Sequence, residues 1–380
     1  MEFDYISFLK DLYKLKLYLL KHEKASTIDE LSDYLSLALM TRDRFGINIE
    51  EELYSNKKHM YKCMHNYNMK QLDILLNFVN SNCDDLFQLS TNINDAINPN
   101  IFDCLFVEYG NFYNKVKKYS EKEFKDLIYP FFAQYGDNTL KAVKDLIENK
   151  RLLVGAVQKT DDDHDHDAFT AGSAVIGKTY ILTYIDSMIL ENIVLLVHEL
   201  GHAVDLQHTM LSQSKKYTAA DPMCEVPSCF FEISFADYLV QNRIETDLAN
   251  NIILAKLSAI PRQFLKYHKM LTSPSDFLVN TDGIVVFDNG TGLKGSNLRN
   301  DLYYFIGTMM AANALMIHKD NPKEFNKKFS DFLGLKQEQT LKQNVETLGI
   351  NYDEFLSCEL IKPYYEEKSN ELIKRYKYLV

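Results

Sequence analysis

His198-Glu199-Leu200-Gly201-His202 sets two imidazoles one helical turn apart, with a carboxylate beside the first. Positions i and i+4 share a helix face, so both imidazoles can reach one metal ion, with Glu199 next to the water that the ion activates. The spacing predicts a catalytic zinc site in which His198 and His202 are ligands and Glu199 is the general base. A chain with 10 histidines in 380 residues meets such a string by chance in roughly a few per cent of cases, so the flanks have to decide. Ile193-Val194-Leu195-Leu196-Val197 before it and Ala203-Val204 after it are apolar, which predicts a helix buried on most sides. Unpaired imidazoles and a carboxylate there would cost roughly 1–3 kcal/mol each, and a bound metal removes that cost. Gly201 in the same helix suggests the close approach of another backbone or of substrate.

Catalytic zinc takes three protein ligands and keeps one position open, so a further donor is required. His208 follows His198 by ten positions, but lacks the glycine-bearing turn that would bring a third histidine round. Glu225 is the better candidate. It lies in Asp221-Pro222-Met223-Cys224-Glu225-Val226-Pro227-Ser228-Cys229-Phe230-Phe231-Glu232, which opens with proline and turns apolar, as the start of a second buried helix does. Glu232 is two helical turns beyond Glu225, so one carboxylate can bind the metal while the other accepts from an imidazole N–H behind it. Cys224 and Cys229 flank Glu225 and leave a thiolate ligand as a minor alternative.

These residues resemble the thimet oligopeptidase and oligoendopeptidase F family of zinc peptidases. The likeness rests on His198-Glu-Leu-Gly-His202, then Glu225-x-Pro-Ser with Glu232 beyond it, and it spans roughly residues 150–310. It implies that Glu225 is the third zinc ligand, and that Lys178–Asp186 holds the short strand preceding the zinc helix and lining a substrate cleft. The implied fold is mainly α, a neurolysin- and oligoendopeptidase-like zincin with a small β element before the zinc helix and an internal cleft. Residues 1–150 would form a helical wall of that cleft, and 151–380 the zinc-binding catalytic region. Family members are often longer, so this chain would be a short, divergent one with a reduced N-terminal region.

Two positions depart from the family pattern. Asp205 stands where a further histidine is usual, and is read as orienting a ligand imidazole. The family also carries a tyrosine-rich helix whose phenols, with a nearby histidine, stabilise the transition state. Leu302-Tyr303-Tyr304-Phe305-Ile306-Gly307 resembles it, with Tyr304 the closer match and Tyr303 the second choice, but no histidine stands shortly upstream.

The formal charge of −11, from 42 basic and 53 acidic side chains, argues against nucleic acid as partner and favours neutral or cationic peptides. No apolar run is long enough to span a membrane, and the first residues lack a basic stretch followed by an apolar core, so a cytoplasmic location is expected. The six cysteines show no Cys-x-x-Cys spacing and are read as free thiols. Scarce glycine and proline with apolar residues at three and four spacing read as mainly helical. Ile6-Leu9-Leu12-Tyr13-Leu17-Leu20, Leu31–Leu39 and Phe124–Leu152 supply apolar stripes expected to face the core. Thr160–Asp167, dense in Asp and His, is expected to be a solvated loop, and 288–297, with three glycines, a loop folding over substrate.

The expectation is a Zn2+-dependent endopeptidase acting on short peptides. Two other readings stand beside it: a site-specific regulatory metalloprotease with one cellular substrate, and an inactive zinc-binding scaffold. Glu199 speaks against the scaffold, because a base that is not a ligand does nothing to hold the metal.

Overall fold

The computed structural model describes residues 2–21, 57–96, 117–154, 168–173, 175–183, 185, 187–212, 222–265, 278–279, 284–286, 292–334 and 339–375. The chain forms two compact units, Met1–Lys70 with Lys118–Thr218, and Gln71–Lys117 with Ala219–Val380. Helices predominate in both, as the composition predicts, and among the described residues no helix is long and apolar enough to cross a membrane.

The first unit contains α1 (Tyr5–Lys21), α3 (Glu121–Ala133), α4 (Asp137–Glu148), three short strands and α5 (Leu190–Ser212), while α2 (Lys57–Ala96) starts within it. Ser120 starts α3 through a reciprocal cap, its hydroxyl accepting from the Glu123 N–H while the Glu123 carboxylate accepts from the Ser120 N–H. Gly136, at a φ of 101° that a side chain would strain, turns the chain from α3 into α4. The strands β1 (Leu152–Leu153), β2 (Ala168–Ser173) and β3 (Lys178–Thr183) form a sheet in the order β1-β3-β2. β1 runs parallel to β3, and β2 antiparallel to it with Thr170 opposite Ile181. This sheet packs on α5 through β2 and β3, and α4 packs on α5 as well. The short strand expected at Lys178–Asp186 is therefore β3, and it does precede the helix carrying the paired histidines.

One expected stripe faces differently. Among the described side chains of α1, Phe8, Leu12 and Leu15 are buried, so of the expected stripe Leu12 is inside, whereas Ile6 (67 % exposed), Tyr13 and Leu17 face outward. The helix carries apolar residues on more than one face, so periodicity alone does not choose which one packs. What chooses is Tyr180 of β3. Its ring meets Phe8 edge-on at 5.1 Å, and its hydroxyl donates to Asp11 at 2.6 Å. The Leu31–Leu39 stripe and Thr160–Asp167 lie outside the described residues.

The second unit holds the rest of α2, then α6 (Glu225–Gln241), α7 (Thr246–Leu265), α8 (Gly295–Asp320), α9 (Pro322–Leu333), α10 (Leu341–Thr347), α11 (Tyr352–Ser357) and α12 (Ile361–Arg375). α6 is buried almost all round and packs chiefly on α8 and then α7. Phe230 of α6 sits within 5.1 Å of Phe325 and 4.9 Å of Phe329 on α9, one aromatic cluster of this core. Asn82 breaks the regular geometry of α2 with a φ of −131°, and its side-chain oxygen accepts from the Leu341 N–H at the start of α10. The strands β4 (Leu278–Val279), β5 (Ile284–Val286) and β6 (Gly292–Lys294) form an antiparallel sheet just before α8. The loop expected over 288–297 is thus a strand at 292–294 and helix from Gly295, because Ile284-Val285-Val286 gives the glycine-bearing segment a ladder to join. Residues 287–291 lie outside the described residues.

Candidate metal centre

α5 is the apolar helix that the flanks of the histidine motif predict. Leu190, Ile193, Val194, Leu196, Val197, Leu200, Ala203, Val204 and Leu206 are all buried. His198 and Glu199 are buried too, with Glu199 6 % exposed, while His202 is half-buried. The imidazoles of His198 and His202 lie with ring centres 5.0 Å apart and planes nearly perpendicular, at 81°. Asp205, one turn beyond His202, is buried on the same helix, and His208 is half-buried further along.

Glu225 is the first residue of α6, entered through a 3-10 turn at Pro222–Cys224. An acidic residue in a first turn faces the unpaired N–H groups of the helix start and is stabilised by them. Pro227 is tolerated in the same turn because its missing N–H would have no partner in the helix. The Ser228 hydroxyl lies 2.9 Å from the Glu225 carbonyl oxygen and 3.0 Å from Glu225 Oε2, which ties the carboxylate back to its own helix. Gly307 of α8 packs directly on this turn. A Cβ at Gly307 would stand 2.9 Å from both the Cβ and the carbonyl oxygen of Glu225, closer than atoms of that kind come.

Among the described residues, His198, His202 and Glu225 form a group that could hold a metal ion, with one donor atom from each all within 4.8 Å of one another. Two imidazole nitrogens and one carboxylate oxygen are a zinc donor set that leaves a fourth position open. His208 is outside this group, and so are Cys224 and Cys229. Both cysteines are buried, and burial, followed by the nearby Glu225 carboxylate, pushes the Cys229 thiol up.

Near Glu225 the second unit carries a charge pair whose carboxylate is buried and whose ammonium is half-buried. Glu232 is buried and its Oε1 lies 2.9 Å from Nζ of Lys256 on α7. Burial, the largest single influence, works against the Lys256 ammonium, but Glu232, Cys229 and Glu225 together outweigh it and hold the group above its ordinary value. The same ammonium sits 5.9 Å over the ring of Tyr304. Tyr304 is half-buried, whereas Tyr303 is 3 % exposed in the core of the unit.

Reading the sequence did not find Thr170 or Lys256. Thr170 of β2 places its hydroxyl 2.5 Å from Glu199 Oε2 and 3.0 Å from the Glu199 carbonyl oxygen. Nothing in Ala168-Phe169-Thr170-Ala171-Gly172-Ser173 marks it as different from any other strand threonine. Lys256 sits in an apolar helical stretch, where an isolated lysine within such a run was the available signal.

No protein-family model matches the sequence, and no curated protein is detectably similar to it. Among solved structures the fold is similar to that of a protein from Bacillus anthracis strain Ames described as a candidate oligoendopeptidase F. The TM-score is 0.52 at 12 % identity, covering 94 % of this chain and 69 % of that one. A candidate peptidase from Chlamydophila abortus superposes with a TM-score of 0.49 at 14 % identity over 93 % of this chain, which spans 62 % of that protein's length. The fold is thus the mainly α, oligoendopeptidase-like one that the motifs imply, with its small sheet before the histidine helix.

Proposed function

We propose that the chain is a zinc-dependent endopeptidase that hydrolyses peptide bonds in short peptides, with Glu199 as general base. The observation that carries this reading is the grouping of His198, His202 and Glu225, with Glu199 following the first of them on the same helix. The fold shared with a candidate oligoendopeptidase F supports peptides, and short ones, as the substrate class. The net charge of −11 favours neutral or cationic sequences among them.

Bound at these three residues, Zn2+ would polarise a carbonyl oxygen and bring the pKa of water toward neutrality. Glu199 takes a proton from the attacking water on one carboxylate oxygen and delivers it to the leaving amine nitrogen, a role worth about 10²–10⁴ in rate. Tyr304 is the side chain we assign as donor to the carbonyl oxygen as negative charge develops there, a contribution of about 10²–10³. Tyr303, in the core, is given a packing role. Ser228 orients Glu225 through the contact to its carboxylate, and Asp205 and Glu232 are assigned to holding the imidazoles in the ligating tautomer.

The test is mass-spectrometric mapping of products from a mixed library of short peptides, with zinc-loaded wild type, chelated wild type and zinc-loaded Glu199→Gln. Cleavage by the first alone supports the reading. Cleavage that survives chelation or survives Glu199→Gln at equal zinc content refutes it. Zinc binding without cleavage of any peptide turns attention to the single-substrate protease or the scaffold.

A further inference from the structure

Glu199 does not hang freely from its helix. β2 packs on α5, with a Cβ at Gly172 coming to ordinary contact distance, 3.4 Å, from Leu206 Cδ1 of that helix. That approach, and the antiparallel register that sets Thr170 opposite Ile181, deliver the Thr170 hydroxyl to Glu199. It stands 2.5 Å from Oε2 and 3.0 Å from the main-chain oxygen. A hydroxyl has one proton to give. The Glu199 carbonyl belongs to the hydrogen-bond ladder of α5, and the shorter distance is the one typical of a hydroxyl donating to a charged carboxylate. The proton therefore goes to Oε2, and Oε1 is left without this bond.

We infer that Thr170 is a positioning residue for the general base, fixing Oε2 of Glu199 so that Oε1 alone exchanges protons with water and leaving group. The inference rests on the proposed role of Glu199 as base. The proton balance is simple. Oε1 gains a proton from the attacking water and passes it to the amine nitrogen, while Thr170 keeps its own proton throughout and donates to Oε2 in both states of the carboxyl. A base with two freely rotating oxygens would spend part of its time turned away, and misplacement of about 1 Å costs roughly 10²-fold in rate.

Three variants test this: Thr170→Val, which keeps the branched shape and removes the donor, Thr170→Ser, which restores the donor, and Thr170→Val with Glu199→Gln. The substrate is the peptide that wild type cleaves fastest in the library. Thr170→Val is expected to lower kcat roughly 10–100-fold with KM within about twofold, and Thr170→Ser to return to within about threefold of wild type. In the Glu199→Gln background Thr170→Val should cost nothing further, since both act through one group. Two readouts are independent of turnover. Zinc affinity by chelator competition should stay within about twofold of wild type. A crystal structure of metal-free Thr170→Val should show the Glu199 carboxylate away from its wild-type position. An inactive Glu199→Gln beside a fully active Thr170→Val overturns this inference and leaves the peptidase reading intact. A fully active Glu199→Gln overturns both. Loss of activity in Thr170→Val that merely follows lost zinc or a lowered melting point also overturns it, by making Thr170 a structural tie.

Discussion

Replacing Gly307 by alanine adds one methyl group at the place where α8 meets the first turn of α6. That methyl would lie 2.9 Å from the Glu225 Cβ, 2.9 Å from its carbonyl oxygen and 3.0 Å from its carbonyl carbon. Ordinary carbon contacts are about 3.5–4.0 Å, so the two backbones must part by roughly 0.6 Å or more. The obstacle is backbone and Cβ, not the end of a flexible side chain, so no rotamer change relieves it. Overpacking of this kind costs about 1–3 kcal/mol, against which alanine gains about 1 kcal/mol over glycine in a helix. The metal-free protein should therefore be destabilised by about 0–2 kcal/mol in urea unfolding. The larger effect is expected on the metal. Ligand distances at zinc tolerate about 0.2 Å, and the displaced atoms belong to Glu225 itself. Zinc affinity measured by chelator competition should fall roughly 10–100-fold, the range seen when groups supporting a ligand are disturbed. Unchanged zinc affinity, together with a more stable metal-free protein, would show that α8 yields without moving Glu225 and would refute the reasoning.

Ser228→Ala removes the hydroxyl 3.0 Å from Glu225 Oε2 and should weaken zinc about tenfold, or about 1.4 kcal/mol, with unfolding of the metal-free protein little changed; isothermal titration with zinc checks it. Lys256→Met leaves the buried Glu232 carboxylate without its ammonium and should cost about 3 kcal/mol in urea unfolding, most of which Lys256→Met with Glu232→Gln recovers. Burial pushes the His318 imidazole down, with Asp237 opposing, so the folded state binds the proton less well than the unfolded chain. Its stabilising effect is full above the unfolded value of about 6.5 and is lost as pH falls below it. The melting point of the metal-free protein should accordingly drop between pH 7 and 5 more steeply in wild type than in His318→Gln, and parallel curves would contradict this.

How much of this could be read from the chain depends on how far apart the partners are. The histidine helix was legible because its apolar flanks and its ligand spacing share one period, that of the helix itself. Glu225 was legible for a related reason, since Pro222 and Pro227 mark the start of a helix and the apolar run after them marks its burial. Thr170 was not, because it reaches Glu199, 29 residues along, only through the pairing of β2 with β3 and the packing of that sheet on α5. Gly307 was quoted only as a landmark beside Tyr304. Its contact with Glu225 is a matter of helix packing, which no local pattern encodes. The same limit explains α1, where Phe8 and Leu15 join Leu12 in the core while Ile6, Tyr13 and Leu17 face outward. Glycines at 290, 292 and 295 read as a loop, and a neighbouring strand made part of that segment sheet.

The most direct measurement is anomalous diffraction at the zinc absorption edge from crystals of the protein soaked in zinc. The account predicts one strong peak, about 2.0–2.2 Å from an imidazole nitrogen of His198, an imidazole nitrogen of His202 and a carboxylate oxygen of Glu225, absent from His202→Ala. A peak held by other side chains, or none at these three, would contradict the metal centre and the peptidase built on it.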